Sequence, residues 1–292
     1  MGSIHQSRFL PSSPTVNLVV DMQYDACASV AEMEARMKKI HESVEQMRKA
    51  GIPTVWIALG DRNALHKPAS NNTTARDTAD IERAGFFGHP PGEIDKAHLK
   101  EFKKLMKQYG PKKDEAIFTK TYFGSFSEPD DLKRPGLASH IKGQHNGDAA
   151  ATALSGKTLH EYLQSLHTQR VTIMGCNSDV CVMETAMGAA MKGMKSVVIS
   201  DRVMSEDDKS FSKPDFQEDK VRTKLHNITD NPAALRDDLT HKAFANAQAL
   251  TTEEKGNIRE NIDVKRLTEL LPAAVPKSTS SAAARRRTVP KA

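Results

Sequence analysis

The chain has 292 residues, of which 38% are hydrophobic and 27% are charged, and this suits one large or two small soluble domains. Aromatic residues make up only 5%, too few to suggest a surface that stacks nucleic-acid bases, and no apolar run reaches the length of a membrane span. The formal net charge of +5 equals the charge of residues 277–292 alone, so the excess positive charge is a property of the C-terminal tail.

The expected location is the cytoplasm. Residues 1–15 lack the continuous apolar segment of a signal peptide. Three cysteines, an odd number without metal-ligand spacing, indicate reduced thiols. Secretion without a leader stays open. We expect residues 14–271 to form one domain and residues 272–292 to be a disordered basic tail, with weak contact to an acidic partner as an open alternative.

Strands and helices alternate in the N-terminal half. The predicted elements are strand 16–20, helix 32–50, strand 54–59, helix 94–109 and strand 116–120. Residues 67–93 are polar and rich in Gly and Pro, and we expect them to form a long loop over the strand ends.

The second half contains a predicted strand–helix–strand unit. A helix at 158–166 precedes strand 171–174, helix 182–194 and strand 197–199, with Ser178 and Asp179 as predicted N-caps. Such a unit favours a parallel sheet, so the predicted fold class is three-layer α/β/α with a mostly parallel sheet. Helices within 221–250 and a final amphipathic helix at 262–271, after an N-cap in 251–254, would close the domain.

Three side chains stand where chemistry is expected. Asp21 and Lys120 each end a predicted strand, and ligands of parallel α/β sheets bind outside those ends. Cys181 falls in the first turn of a predicted helix, where the positive end of the helix dipole favours a thiolate. Each has a plainer interpretation when taken alone: a capping acid, a solvated lysine and a small buried core residue.

Three motifs favour the functional interpretation. They are Asp21-Met22-Gln23, then Thr119-Lys120-x-x-Phe123-Gly124-Ser125-Phe126, then Gly175-x-x-x-Asp179-x-Cys181-Val182-x-x-Thr185-Ala186-x-x-Ala189-x-x-x-Gly193. In this order they resemble the motifs of the isochorismatase-like cysteine hydrolases, a superfamily that includes isochorismatases, nicotinamidases and N-carbamoylsarcosine amidase. The resemblance spans roughly residues 16–201.

The resemblance implies a role for each motif. It makes Cys181 the nucleophile, Asp21 the general base beside it, and Lys120 the third member of a catalytic triad. It also implies a cis peptide bond between Cys176 and Asn177, with the backbone N–H groups of Asn177 and Cys181 forming the oxyanion hole.

The chain departs from the family in two places. Nicotinamidases carry Asp-x-His after the second strand as part of a metal site, whereas this chain has Asp61-x-Asn63, so we expect no catalytic metal and no other cofactor. A relocated metal site that uses scattered histidines such as His66 or His89 stays open. Residues 127–153 form an insertion, whose composition suggests an irregular excursion that serves as a lid or an oligomer contact.

The function implied by the resemblance is hydrolysis of a small amide, carbamoyl or ureido substrate through the Cys181 thiolate. We expect a homo-oligomer with a small-molecule substrate and with neither a membrane nor a specific nucleic-acid partner. Two alternatives remain: an isochorismatase that cleaves a vinyl ether by acid catalysis without needing the thiol, and a non-catalytic binding or interaction protein on the same fold.

Overall fold

Alternating strands and helices make up most of the residues that the computed structural model describes, which are 14–22, 30–59, 96–112, 115–120, 124–126, 141–145, 158–205, 213–231 and 250–271. In the first half they are β1 (Thr15–Val20), α1 (Val30–Lys49), β2 (Thr54–Leu59), α2 (Lys96–Tyr109), β3 (Ala116–Lys120) and β4 (Ile141–His145). In the second half they are α3 (Leu159–Ser165), β5 (Arg170–Cys176), a π-helical turn (Ser178–Val182), α4 (Met183–Met191), β6 (Lys195–Met204), α5 (Pro214–Thr229), α6 (Thr252–Asn261), β7 (Ile262–Lys265) and α7 (Leu267–Leu270).

The seven strands form one sheet in the order β4-β3-β2-β1-β5-β6-β7. All neighbouring strands run parallel except β4, which pairs antiparallel with β3. β1 lies at the centre between β2 and β5. The predicted α/β fold with a mostly parallel sheet is therefore confirmed.

Both faces of the sheet are covered by helices, as expected of parallel strands buried on both sides. Along β1, Val16, Leu18 and Val20 face a core built with residues of α3, α4, α5 and α6. Val19 belongs to the core on the opposite face, which contains residues of α1, α2 and α7. The methionines of α1 pack into this second core. The result is three layers, helices over sheet over helices.

A row of buried polar side chains crosses the three central strands. Asn17 of β1 is in register with Thr54 of β2 and Thr172 of β5. Its side-chain amide donates to Thr54 Oγ1 at 3.4 Å, and its Oδ1 accepts from Thr172 Oγ1 at 3.1 Å. Because each side chain finds its partner only in this register, the row stabilises one alignment of the strands.

Predicted helix starts and stops agree with the structure at several points. Thr158 and Thr251 are N-caps that form capping boxes with Glu161 and Glu254. Gly51 follows α1 in the left-handed region, with φ of 73°.

The C-terminal part of the domain differs from the prediction. The helix expected at 262–271 is wrong: residues 262–265 form strand β7 on the sheet edge, and only 267–270 are helical. Of the range 221–250, in which helices were expected, residues 221–229 belong to α5, which begins earlier, at Pro214, where proline at the first helical position is favourable. Residues 232–249 lie outside the described residues. The insertion is not wholly irregular either, because residues 141–145 form edge strand β4.

Several predictions fall outside the described residues: the loop 67–93, which includes His89, the preceding Asn63 and His66, the rest of the insertion, and the tail 272–292. None of the described helices combines the length and apolar composition that crossing a membrane requires.

Candidate active site

The candidate residues gather at the carboxyl edge of the sheet, by which we mean the side where the parallel strands have their C-terminal ends; the amino edge is the opposite side. Val20 of β1 is in register with Ile57 of β2 and Gly175 of β5, and Ile57 is in register with Phe118 of β3. Asp21 comes one residue after this level, and Lys120, the last residue of β3, comes two residues after it. The turn that contains Cys181 begins where β5 ends.

Asp21 is held by its backbone on both sides. Its N–H donates to the Ile57 carbonyl at 2.8 Å, and its carbonyl accepts from Cys176 Sγ at 2.9 Å. Its φ of 49° lies in the left-handed region, which Asp tolerates better than most residues. The side chain is only 7% exposed. A buried carboxylate is thus fixed at the point where the central strand turns away.

Gly175 allows β5 to approach β1 closely. Its φ is 119°, and a Cβ at this position would lie 2.0 Å from the Val20 carbonyl oxygen. The pairing of β5 with β6 shifts register between Ile173 and Gly175. The predicted strand 171–174 is too short, because β5 continues through Gly175 to Cys176. The glycine permits a close contact inside the strand rather than a stop.

Cys181 lies in an irregular turn between β5 and α4. The Cys176–Asn177 peptide bond is cis, as the resemblance implied. The following π-helical turn is closed by the N–H of Val182, which donates to the Asn177 carbonyl at 3.0 Å. Cys181 is 6% exposed and precedes the first residue of α4 by two positions. Such π-helical turns occur frequently at functional sites.

The prediction that Ser178 and Asp179 cap the helix is wrong. Both lie inside the π-helical turn, and Asn177 precedes it without a capping side-chain hydrogen bond. The Ser178 hydroxyl instead donates to Gln217 Oε1 of α5 at 2.8 Å, and both side chains are fully buried.

Sequence reasoning missed Gln217. It shares one helix face with Val221 and Ile228, which are buried in the core on that side of the sheet. A signal was present, since an uncharged polar residue interrupts an apolar face with helical spacing. Its partner lies 39 residues earlier, however, and no local pattern identifies it.

The segment after Lys120 packs directly on the helix after Cys181. Ser125 Oγ and Thr185 Oγ1 are 2.7 Å apart and both side chains are buried. A Cβ on Gly188 of α4 would come within 2.8 Å of Phe126 Cβ, so the helix needs a glycine there. Residues 124–126 are therefore joined to α4 by contacts in the core.

The described residues contain no group of three or more His, Cys, Asp or Glu side chains that could hold a metal ion. Asp61, Asn63, His66 and His89 lie outside them, and for His98 only its position in α2 is described. The expectation of no catalytic metal therefore stays a prediction.

These features define a parallel α/β protein whose candidate site lies outside the carboxyl ends of its strands. The Isochorismatase domain family matches residues 15–134 and 149–221, more than half of the chain. The chain therefore belongs to the isochorismatase family of hydrolases. The match leaves out residues 135–148, which contain β4.

Several solved structures are similar to this chain at low sequence identity. A cysteine hydrolase from Pseudomonas syringae pv. phaseolicola is 15% identical, with 88% of this chain and 91% of that one covered and a TM-score of 0.44. An isochorismatase-like hydrolase from Alkaliphilus metalliredigens is 15% identical, with 89% and 98% covered and a TM-score of 0.44. N-carbamoylsarcosine amidase from Thermoplasma acidophilum is 14% identical, with 87% and 97% covered and a TM-score of 0.41. No curated protein matches the chain.

Proposed function

We propose that this protein is a cysteine hydrolase that acts on a small amide, carbamoyl or ureido compound. The observation that carries the proposal is the buried contact between Ser125, which follows β3, and Thr185 of α4, the helix that follows the turn of the nucleophile. Lys120 is five residues before one partner, and Cys181 is four residues before the other. On the other side of the site, the Asp21 carbonyl accepts from the thiol of Cys176, five residues before Cys181.

In the proposed reaction Asp21 accepts the proton of the Cys181 thiol, and the thiolate attacks the substrate carbonyl carbon. The backbone N–H groups of Asn177 and Cys181 stabilise the oxyanion that forms. The intermediate collapses to a thioester, or a thiocarbamate from a carbamoyl substrate, and the leaving amine takes the proton from Asp21. Water, deprotonated by the same carboxylate, then releases the acid and restores the thiol.

Lys120 acts in this scheme as a nearby cation that favours the thiolate and the developing oxyanion. β2 separates β1 from β3, so the two strands are about 10 Å apart. The flexible four-carbon stem of lysine suits this distance, because it carries a compact charge away from its own strand.

The test is a panel of small amides, ureides and isochorismate, assayed with the wild type and with Cys181→Ala, Asp21→Asn and Lys120→Met. We expect turnover of an amide or ureide, and each substitution should lower kcat on the order of a thousandfold. Ser196→Ala is the control, because it removes a buried hydroxyl bonded to the Ala186 carbonyl of α4, away from the turn.

Other results would identify the alternatives. Turnover of isochorismate that survives Cys181→Ala but not Asp21→Asn would indicate acid catalysis. Absence of turnover across the panel by a folded protein whose Cys181 reacts no faster than its other cysteines with iodoacetamide would contradict the enzymatic proposal.

A further inference from the structure

We propose that Gln217 is a positioning residue for the nucleophile: it fixes the π-helical turn of Cys181 by accepting a hydrogen bond from Ser178. This inference rests on the proposed function of Cys181. It concerns a residue outside the three motifs, on a helix that follows them in the chain.

The contact is specific and wholly buried. Ser178 Oγ donates to Gln217 Oε1 at 2.8 Å, and neither side chain has any exposed surface. On α5 the neighbouring core positions Val221 and Ile228 are apolar and fully buried. A buried glutamine on this face costs free energy unless its polar atoms are hydrogen-bonded, and Ser178 supplies a donor for its Oε1.

Ser178 is the first residue of the π-helical turn and lies between the two groups that this turn orients. It directly follows Asn177, whose N–H is one proposed oxyanion donor, and it precedes Cys181 by three residues. The backbone closes the turn through the Asn177 carbonyl, which accepts from the N–H groups of Val180 and Val182. The hydroxyl of Ser178 adds a tie from the side, to a different helix.

Loss of the Ser178–Gln217 hydrogen bond should change the orientation of two reacting groups together. If the tie is lost, the turn can shift, and both the Cys181 thiol and the Asn177 N–H move relative to the substrate carbonyl. Small displacements of reacting groups cost large factors in rate because the bound geometry must be close to that of attack. Substrate affinity depends less on the turn, so the effect should fall on kcat rather than on KM.

A purely structural role for the pair predicts something else. Gln217 would then only anchor α5 to the core, and its loss would lower stability without changing the reactivity of Cys181 in the folded protein. The reactivity of Cys181 towards iodoacetamide separates the two roles, because it reports the turn directly and needs no substrate.

The experiment compares Ser178→Ala, Gln217→Met and the double variant with the wild type. Gln217→Met keeps the length of the side chain and removes the acceptor. The rate of Cys181 alkylation is followed by mass spectrometry from pH 5 to 10, kcat and KM are measured with an amide or ureide substrate, and the urea midpoint is recorded. Ser196→Ala is the matched control, since it also deletes a buried hydroxyl that bonds α4.

We expect each single substitution to change the pH profile of Cys181 alkylation and to lower kcat tenfold to a hundredfold, on the order of a 1 Å displacement, with KM within about threefold. The double variant should be no worse than the poorer single, because both remove the same tie. If Gln217→Met does not fold, Ser178→Ala alone tests the proposal, because it removes only the hydroxyl that donates to Gln217.

Two failures are distinguishable. An alkylation profile identical to the wild type in folded Ser178→Ala, or a loss in stability alone, would overturn the role of Gln217 even if the wild type hydrolyses amides. A changed profile in a protein that hydrolyses no substrate of the panel would support the positioning of the turn and count against the proposed function.

Discussion

Two buried carboxylates lie at opposite ends of the parallel strands. They are buried to nearly the same extent, but their hydrogen bonds and the backbone around them differ. Glu115 precedes β3 at the amino edge and is 8% exposed, whereas Asp21 follows β1 at the carboxyl edge and is 7% exposed. Burial therefore does not distinguish a candidate catalytic acid from a structural one. Their surroundings do.

Glu115 is the centre of a regular network of hydrogen bonds. It accepts from Arg48 Nε at 2.7 Å and Nη2 at 2.5 Å, from Trp56 Nε1 at 2.8 Å, and from the N–H of Lys112 at 2.9 Å. These bonds join α1, β2 and the start of β3. Burial raises the pKa of Tyr162 to about 12, and the negative charge of Glu115 adds to the increase. The hydrogen bonds of Glu115 therefore stabilise the fold at the amino edge.

The carboxyl edge departs from regular backbone instead. Asp21 and Gly175 both have positive φ, the β5–β6 pairing shifts register, and a π-helical turn follows β5. Unusual backbone conformations concentrate at functional sites, where the surrounding structure maintains them. The irregular backbone around Asp21, rather than its burial, is therefore what supports its proposed role.

The largest expected effect is on activity at the carboxyl edge. Asp21→Asn keeps a residue that tolerates positive φ but removes the proposed general base, so kcat should fall on the order of a thousandfold. Urea unfolding should show little change by comparison. The two measurements together distinguish a catalytic carboxylate from a structural one. If the variant loses stability while its folded fraction keeps the wild-type kcat, Asp21 is a structural acid like Glu115.

The next effect is on stability at the same edge. Gly175→Ala would put a methyl group against the Val20 carbonyl oxygen in a conformation that alanine adopts poorly, and should cost about 3 kcal/mol or more of unfolding free energy. Gly256→Ala in α6 is the control, because a Cβ there meets open space and helix propensity predicts a gain of up to about 1 kcal/mol. Equal midpoints for the two variants in urea would show that the close approach of β1 and β5 is not required.

At the amino edge, Glu115→Gln should lower the unfolding free energy by about 2–3 kcal/mol, because the amide presents donors to Arg48 and Trp56. The folded protein should keep its kcat, which is the reverse of Asp21→Asn. Glu101→Gln is the matched control, since the Glu101–Lys104 pair is solvent-exposed and should contribute less than about 1 kcal/mol. A loss of kcat in folded Glu115→Gln would remove the distinction between the edges.

Much of this arrangement could be predicted from local sequence. Apolar runs identified the central strands, and Asp21 and Lys120 stand at the ends of those runs as predicted. The cis peptide came from the resemblance alone, because nothing in the residues Cys176 and Asn177 indicates it. Regular elements follow from local periodicity, whereas the irregular turn does not.

The errors have a common physical cause. Ser178 is a good N-cap by residue type, but a tertiary contact with Gln217 takes its hydroxyl instead. Residues 262–265 were expected to be helical, but they form strand β7 because the edge of β6 offers hydrogen bonds there. Ile262 and Val264 are buried, and Asp263 between them is exposed. Both outcomes depend on partners distant in sequence, which propensity does not report.

The smallest expected effect is a pH dependence at the amino edge. Glu45 bonds Lys112 and Arg48, and these hydrogen bonds, that of Lys112 first, lower its pKa from 4.5 to about 2. A lowered pKa means that the ionised carboxylate stabilises the folded state above about pH 4.5, and that this stabilisation is lost as the pH falls towards 2.

Glu45→Gln should therefore lower the unfolding free energy near pH 6 and have progressively less effect towards pH 2. Because the Glu45 side chain is 31% exposed, solvent screening limits the difference to at most about 1 kcal/mol. High salt should reduce it further, and kcat should not change, since Glu45 lies at the edge away from the candidate site. Urea titrations of both proteins between pH 2 and 6 measure the difference. A difference that stays constant across this range would show that the ion pairs of Glu45 do not contribute to stability through its charge.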